Sequence, residues 1–287
     1  MKNIIDLNNN ELIPNDKVGS TNYKTYIDGQ LYYVKKSNYN HKELIISTFC
    51  KLLDIPCVDY KLAIKDNEYY VISKSYRKED CQYISGTDLI VDFFNNTSEE
   101  DLKSLKMDNL HDGMENNLET IWLSLEHRYS YDESKYRDIR SVMLDILKQY
   151  FLMILIQDSD FHSMNWEIEE SNRHITLAPK YDNEGAFGME ILGVSMGASP
   201  DDPFEETIDS INHFLDITAK EDKTIFLDLF NRATPALLEG AIKIVKDTYE
   251  ITKLDEEDRI IKRYLNHYAK IVNLLMEKGL ARWMINI

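Results

Sequence analysis

The sequence predicts an α+β chain of two lobes, a small β-rich one over residues 1–78 and a larger helical one over residues 79–287. Three observations lead there. Two pairs of short extended runs close on Asp28-Gly29 and on Lys65-Asp66-Asn67, with one amphipathic segment between them. From about residue 79 the apolar spacing changes to a helical rhythm. One long, broadly apolar segment then runs at once into a polar loop and a short hairpin.

The elements follow in order. Residues 24–27 and 30–35 are extended runs, and Asp-Gly between them is a hairpin signal because Gly accepts the positive φ the turn requires. Residues 41–53 carry Leu44, Ile45, Thr48, Phe49 and Leu52 at helical spacing, and Pro56 stops that helix. Residues 58–64 and 68–73 form a second strand pair. Thr97 and Ser98 are good N-caps for a helix entering Glu99. A further helix is expected over 113–127. The clearest covers 132–157, where Ile139, Val142, Met143, Ile146, Leu147, Tyr150 and Ile154 make a wide apolar face. Extended runs at 165–168 and 174–177 join through Glu170-Ser171-Asn172. Helices are then expected at 205–219, 223–231, 235–249 and 256–278. No repeat or low-complexity linker occurs, so the boundary near residue 78 reads as a hinge between packed lobes.

Composition narrows the function. The chain has 33 basic against 50 acidic residues and a net charge of −17, a field that repels nucleic-acid backbones. A nucleotide is not excluded, because a few local cations and Mg²⁺ decide its binding. Cys50, Cys57 and Cys81 form no C-x-x-C pair, and Cys50 and Cys57 read as core side chains. No segment has the apolar length of a signal peptide or a membrane span, so a cytoplasmic protein is expected.

The chemistry concentrates after the long helix. The loop reads Asp158-Ser159-Asp160-Phe161-His162-Ser163-Met164-Asn165, and the hairpin leads through Leu177-Ala178-Pro179-Lys180-Tyr181 into Asp182. Phosphoryl transfer needs a carboxylate to take the hydroxyl proton and hard oxygen ligands to hold Mg²⁺. An Asp followed five positions later by an Asn is the spacing of a protein-kinase catalytic loop, and Asp160 and Asn165 have it. Asp158 competes for the role of base, although the spacing favours Asp160. Any one of these residues also suits an ordinary polar turn.

Asp160-x-His162-x-x-Asn165 followed by Leu177-Ala178-Pro179-Lys180-Tyr181-Asp182 resembles the signature of HipA-like serine/threonine kinases. The resemblance implies a bilobal protein-kinase-like fold. It implies Asp160 as catalytic base, His162 to Asn165 as a nucleotide- and magnesium-contacting loop, and Asn165 and Asp182 as magnesium ligands beside Tyr181. Lys35, which shares a strand face with Tyr33, resembles the nucleotide-binding lysine, with Lys36 as the alternative. Glu43, in the first turn of the following helix, would pair with it. Gly19, Ser20, Thr21, Asn22, Tyr23 and Lys24 resemble the phosphate-covering loop, in which Ser20 or Thr21 is the candidate for autophosphorylation. Ser73, Lys74, Ser75 and Tyr76 would form the hinge that meets adenine.

The resemblance thus implies an ATP- and Mg²⁺-dependent kinase acting on serine or threonine of a protein substrate, with toxin-like activity and an antitoxin-like partner in the family's repertoire. The chain departs from full-length members in having only eighteen residues before Gly19, where they carry an additional small subdomain. A compact form is therefore expected, which puts antitoxin pairing and autoinhibition in doubt. No Phe-Gly follows Asp182, so an ordinary activation loop is not implied. The same catalytic parts would serve a kinase of small molecules or a silent nucleotide-binding regulator, because fold does not fix the acceptor.

Overall fold

A computed structural model describes residues 3–15, 22–36, 40–104, 118–158, 163–182, 185–188, 228–254 and 256–277. Its N-terminal lobe is built on a six-stranded sheet. The strands are β1 (Ile5–Asp6), β2 (Ile13–Pro14), β3 (Asn22–Ile27), β4 (Gln30–Lys35), β5 (Tyr60–Lys65) and β6 (Glu68–Lys74), in the spatial order β1-β5-β6-β4-β3-β2. Both expected hairpins form. Asp28 and Gly29 have φ of 51° and 77°, and Asp66 and Asn67 have 51° and 64°, the paired positive values that bring right-twisted strands back on themselves. Lys65 therefore closes β5 instead of lying in the turn, and β5 begins at Tyr60, not at residue 58.

Alternation gives this sheet two different faces. Val34, Ala63, Tyr70 and Ile72 pack on one side with Leu7. Leu62 and Val71 join the main core on the other, where helix α1 (Asn40–Leu52) lies. Lys35 stands opposite Val71 in the β4–β6 register, so it shares the helix-covered side.

The larger lobe begins with β7 (Gln82–Ser85) and α2 (Gly86–Asn96), a strand and helix that the periodicity reading passed over. The Ser85 hydroxyl caps α2 by accepting from the Asp88 amide at 3.0 Å. Ser98 caps α3 (Glu99–Ser104) through the Asp101 amide, whereas Thr97 turns back to the Phe93 carbonyl and ends α2. Then come α4 (Leu118–Tyr129), α5 (Glu133–Tyr136) and α6 (Ile139–Ile156). The single helix expected over 132–157 is thus two. Asp138 accepts from the Ile175 amide and pairs with His174, which holds the chain against the next strand, and the helix restarts beyond it.

Strand β8 (Glu167–Glu170) pairs with β7 on one side and with β9 (Ile175–Leu177) on the other, in a three-stranded sheet ordered β7-β8-β9. Asn165, expected in an extended run, lies in a 3₁₀ turn over Ser163–Asn165 that aims the loop before β8 begins. Helices α7 (Pro235–Tyr249) and α8 (Glu257–Glu277) follow near their expected bounds. The helix expected at 205–219 lies outside the described residues, and of 223–231 only residues from 228 on are described, in a helical stretch reaching 232.

One continuous core joins the lobes. Leu44, Ile45, Phe49 and Cys50 of α1 belong to the same buried cluster as Leu238, Ala241 and Ile242 of α7. The Tyr249 hydroxyl accepts from the Leu62 amide at 3.2 Å, and Arg232 reaches Asp54 at 2.7 Å. Among the described residues, no helix is long and apolar enough to cross a membrane. Cys50, Cys57 and Cys81 are free thiols, Cys50 buried and the other two half-buried.

Candidate active site

The site begins where β4 faces α1. Strand alternation turns Lys35 toward the helix, and the first turn of α1 places Glu43 there with no exposed surface. Lys35 Nζ lies 3.2 Å from Glu43 Oε1 and 2.7 Å from Asp182 Oδ1. The second contact spans 147 residues of sequence. The Lys35 side chain is 12% exposed while that of Asp182 keeps 36%, so the carboxylate opens the cluster toward solvent. Lys36 points elsewhere and pairs with Glu68 at 2.6 Å on the surface. Of the two lysines, Lys35 faces the acids.

Asp182 sits at φ 56°, in the left-handed region, which for a non-glycine residue needs support from its surroundings. Support comes from Tyr60 on β5, whose hydroxyl accepts from the Asp182 amide at 3.3 Å. Burial, followed by the charge of Glu43, raises the Tyr60 phenol well above its ordinary value, so it remains neutral. Nothing in its local sequence marks Tyr60 as a site residue.

Asn165 is 8% exposed in its 3₁₀ turn. The preceding carbonyl, of Met164, accepts from the Tyr181 hydroxyl at 3.0 Å and ties this turn to the Asp182 segment. Ser163 meets Thr87 of α2 hydroxyl to hydroxyl at 2.7 Å. Trp166, 1% exposed, fills the space above Gly86.

The expected hinge also closes on this hairpin. The Tyr76 hydroxyl donates to Glu167 at 2.7 Å, Arg77 pairs with the same carboxylate, and the Tyr76 ring stacks on Tyr181 with centroids 5.9 Å apart. Burial and then the charge of Glu167 push both phenols up. Ser73 is buried at the end of β6, and Lys74 is exposed. Glu167 is a second residue that the sequence reading missed, although its place two positions after Asn165 was a usable signal.

Asn22 lies directly across the β3–β4 ladder from Lys35, while Tyr23 and Lys24 continue β3 away from the cluster. Gly19, Ser20, Thr21, Asp160 and His162 lie outside the described residues. Asp158, the competitor for the base, is wholly buried against Lys180, with Nζ to Oδ2 at 2.9 Å. A carboxylate without solvent access is poorly placed to meet an incoming hydroxyl.

The donor set suits a nucleotide and magnesium. Asn165 and Asp182 offer hard oxygens, and Lys35 offers an ammonium for phosphate.

No protein-family model and no curated protein matches the chain. Solved structures do match. The proinflammatory kinase CtkA of Helicobacter pylori superposes with a TM-score of 0.61 at 15% identity, over 96% of this chain and 98% of that one. A chain of the HipA–HipB toxin–antitoxin complex with operator DNA from Shewanella oneidensis superposes with a TM-score of 0.56 at 10% identity. That match covers 90% of this chain and 62% of the other. The fold is that of a HipA-like kinase body.

Proposed function

We propose that the chain is an ATP- and Mg²⁺-dependent phosphotransferase that acts on serine or threonine hydroxyls of a protein substrate. The observation that carries this reading is the seat of Lys35, whose ammonium lies between the buried carboxylate of Glu43 and the solvent-facing carboxylate of Asp182. A cation directed by a buried acid is already aimed when phosphate arrives and exchanges its contact with Asp182, which is the form electrostatic catalysis takes in this chemistry.

The geometry of Lys35, Glu43 and Asp182 and the loop spacing support the following roles. Lys35 binds non-bridging phosphate oxygens, and Glu43 fixes its direction. Asn165 and Asp182 are the residues that would hold Mg²⁺, which when bound neutralises charge on the phosphates. Asp160, five positions before Asn165, takes the proton of the acceptor hydroxyl. Tyr181 and the main chain of residues 73–76 offer an aromatic face and peptide groups suited to a purine.

The test is transfer of label from γ-³²P-ATP to the chain itself or to proteins of a cell lysate, with and without Mg²⁺. Asp160→Ala and Asp182→Ala should abolish labelling while circular dichroism stays native. Full labelling by both variants would remove the mechanism. Label in metabolites with none in protein would move the reading to a small-molecule kinase, and tight ATP binding without turnover would move it to a silent regulator. Phosphopeptide mapping of the labelled chain should place the modification on Ser20 or Thr21. A labelled chain with neither site modified would remove that assignment.

A further inference from the structure

We infer that Asp158 and Lys180 are positioning residues for phosphotransfer, a buried charge pair that sets the distance between the two acid-bearing segments of the site. The inference rests on the phosphotransferase reading and deepens it.

Each member stands two residues before an assigned acid, Asp158 before Asp160 and Lys180 before Asp182. Both side chains have no exposed surface, and they meet at 2.9 Å. Their backbones are held as firmly. The Asp158 amide donates to the Met153 carbonyl at 3.0 Å, just past the left-handed Gln157 that ends α6. The Lys180 amide donates to the Pro56 carbonyl at 3.0 Å, and its carbonyl accepts from the Val58 amide at 2.9 Å. Lys180 therefore touches three bodies at once: the turn after α1, the end of α6 and the segment that presents Asp182.

A charge pair is an expensive way to fill a core. Apolar residues of similar volume are often equally or more stable there, so stability alone does not account for the pair. Lys180 Nζ and Asp158 Oδ2 meet with both side chains removed from solvent, so neither can exchange the other for water without opening the core. Unlike a slippery apolar contact, a hydrogen-bonded pair at this separation fixes both the direction and the distance of its partners. Those are the properties needed where one short segment presents the base and another the metal-binding carboxylate.

The experiment compares the full-length chain with the apolar double variant Asp158→Leu/Lys180→Met. Removing outer groups that orient ligating residues typically lowers activity or metal affinity about 10- to 100-fold. The expected result is a melting temperature close to wild type, kcat at least tenfold lower, a raised Mg²⁺ requirement and little change in KM for ATP. A double variant that keeps kcat and its Mg²⁺ requirement within twofold of wild type overturns the inference. If the double variant does not fold, Asp158→Glu decides, because it retains the charge and moves the carboxylate by one methylene. A kcat at least fivefold lower at nearly unchanged melting temperature supports positioning, and an unchanged kcat refutes it. A wild-type chain that moves no phosphate and shows no melting shift with Mg²⁺ and ATP removes the phosphotransferase reading itself, a result distinct from an active wild type beside an equally active variant.

Discussion

Gly86→Ala would add one methyl group at a place where the structure has no room for it. A Cβ on Gly86 would lie 2.3 and 2.4 Å from Trp166 Cε2 and Cζ2, and 2.6 Å from the Ser163 carbonyl oxygen. Contacts under 3.0 Å are essentially never made by real Cβ atoms, so something must move. The Trp166 ring is 1% exposed and cannot swing into solvent, and the Ser163 oxygen is main chain. Gly86 also donates its own amide to the Trp166 carbonyl at 3.0 Å, which resists separation of the two segments. Overpacking of this kind costs about 1–3 kcal/mol. The helix propensity of Ala over Gly, about 1 kcal/mol in a helix interior, offsets little at the first residue of α2. For domains of 150–250 residues each kcal/mol moves the melting temperature by about 2–4 °C, so a fall of several degrees is expected. Ser163 and Trp166 flank Asn165, and the displaced turn should lower phosphotransfer more than the lost stability explains. Differential scanning fluorimetry and initial rates at a temperature where both proteins are folded measure the two effects. A variant as stable and as active as wild type would refute the packing argument and the link from Gly86 to Asn165.

Two further outcomes follow from other sites. Lys35→Met takes a cation from the buried Glu43 carboxylate, so the melting temperature should fall, and it should also abolish the nucleotide-dependent rise in melting temperature. Ligand at a hundredfold over Kd stabilises wild type by about 2.7 kcal/mol, so an equal rise in the variant would exclude Lys35 from the phosphate site. His267 is 3% exposed, donates to the Ile154 carbonyl at 2.7 Å and lies 3.2 Å from the Gln157 amide. Burial lowers its pKa from 6.5 to about 4. The unfolded chain therefore takes up a proton on this group as pH falls below 6.5, and the folded chain does not until about pH 4. Its contribution, about 3 kcal/mol by linkage, is complete above pH 6.5 and is lost as pH falls toward 4. Urea unfolding across that range should show the slope in wild type and lose that part of it in His267→Gln. Equal slopes in the two proteins would exclude this imidazole as the source.

The hairpins were legible because turn chemistry is local: Asp28-Gly29 and Asp66-Asn67 supply the positive φ values themselves. Helices α1, α7 and α8 were legible because each has a clear apolar side, and Thr234 with Pro235 marks the start of α7. The break between α5 and α6 was not, because it depends on Asp138 reaching a strand 37 residues away. Strand β7 shows no clean alternation, since its pairing with β8 decides its place more than its own side chains do. Within the site, Lys35 and Glu43 could be named from one strand and one helix start. Their meeting with Asp182 could be expected only through resemblance. Tyr60 and Glu167 act through contacts made across the chain, and the partner of Lys180 is equally invisible in Leu177-Ala178-Pro179-Lys180 taken alone.

The shared core of α1 and α7 bears on how such a protein can be silenced. Swinging α1 outward would withdraw Glu43 from Lys35, but it would also bring Leu44, Ile45, Phe49 and Cys50 into water. At roughly 1.5–3 kcal/mol for each large apolar side chain, that exposure rivals the whole stability of a typical domain. A rotated-helix resting state is thereby closed to this molecule. Under the phosphotransferase reading proposed above, control would therefore fall on nucleotide entry or on the acceptor, with the Lys35–Glu43 pair kept assembled.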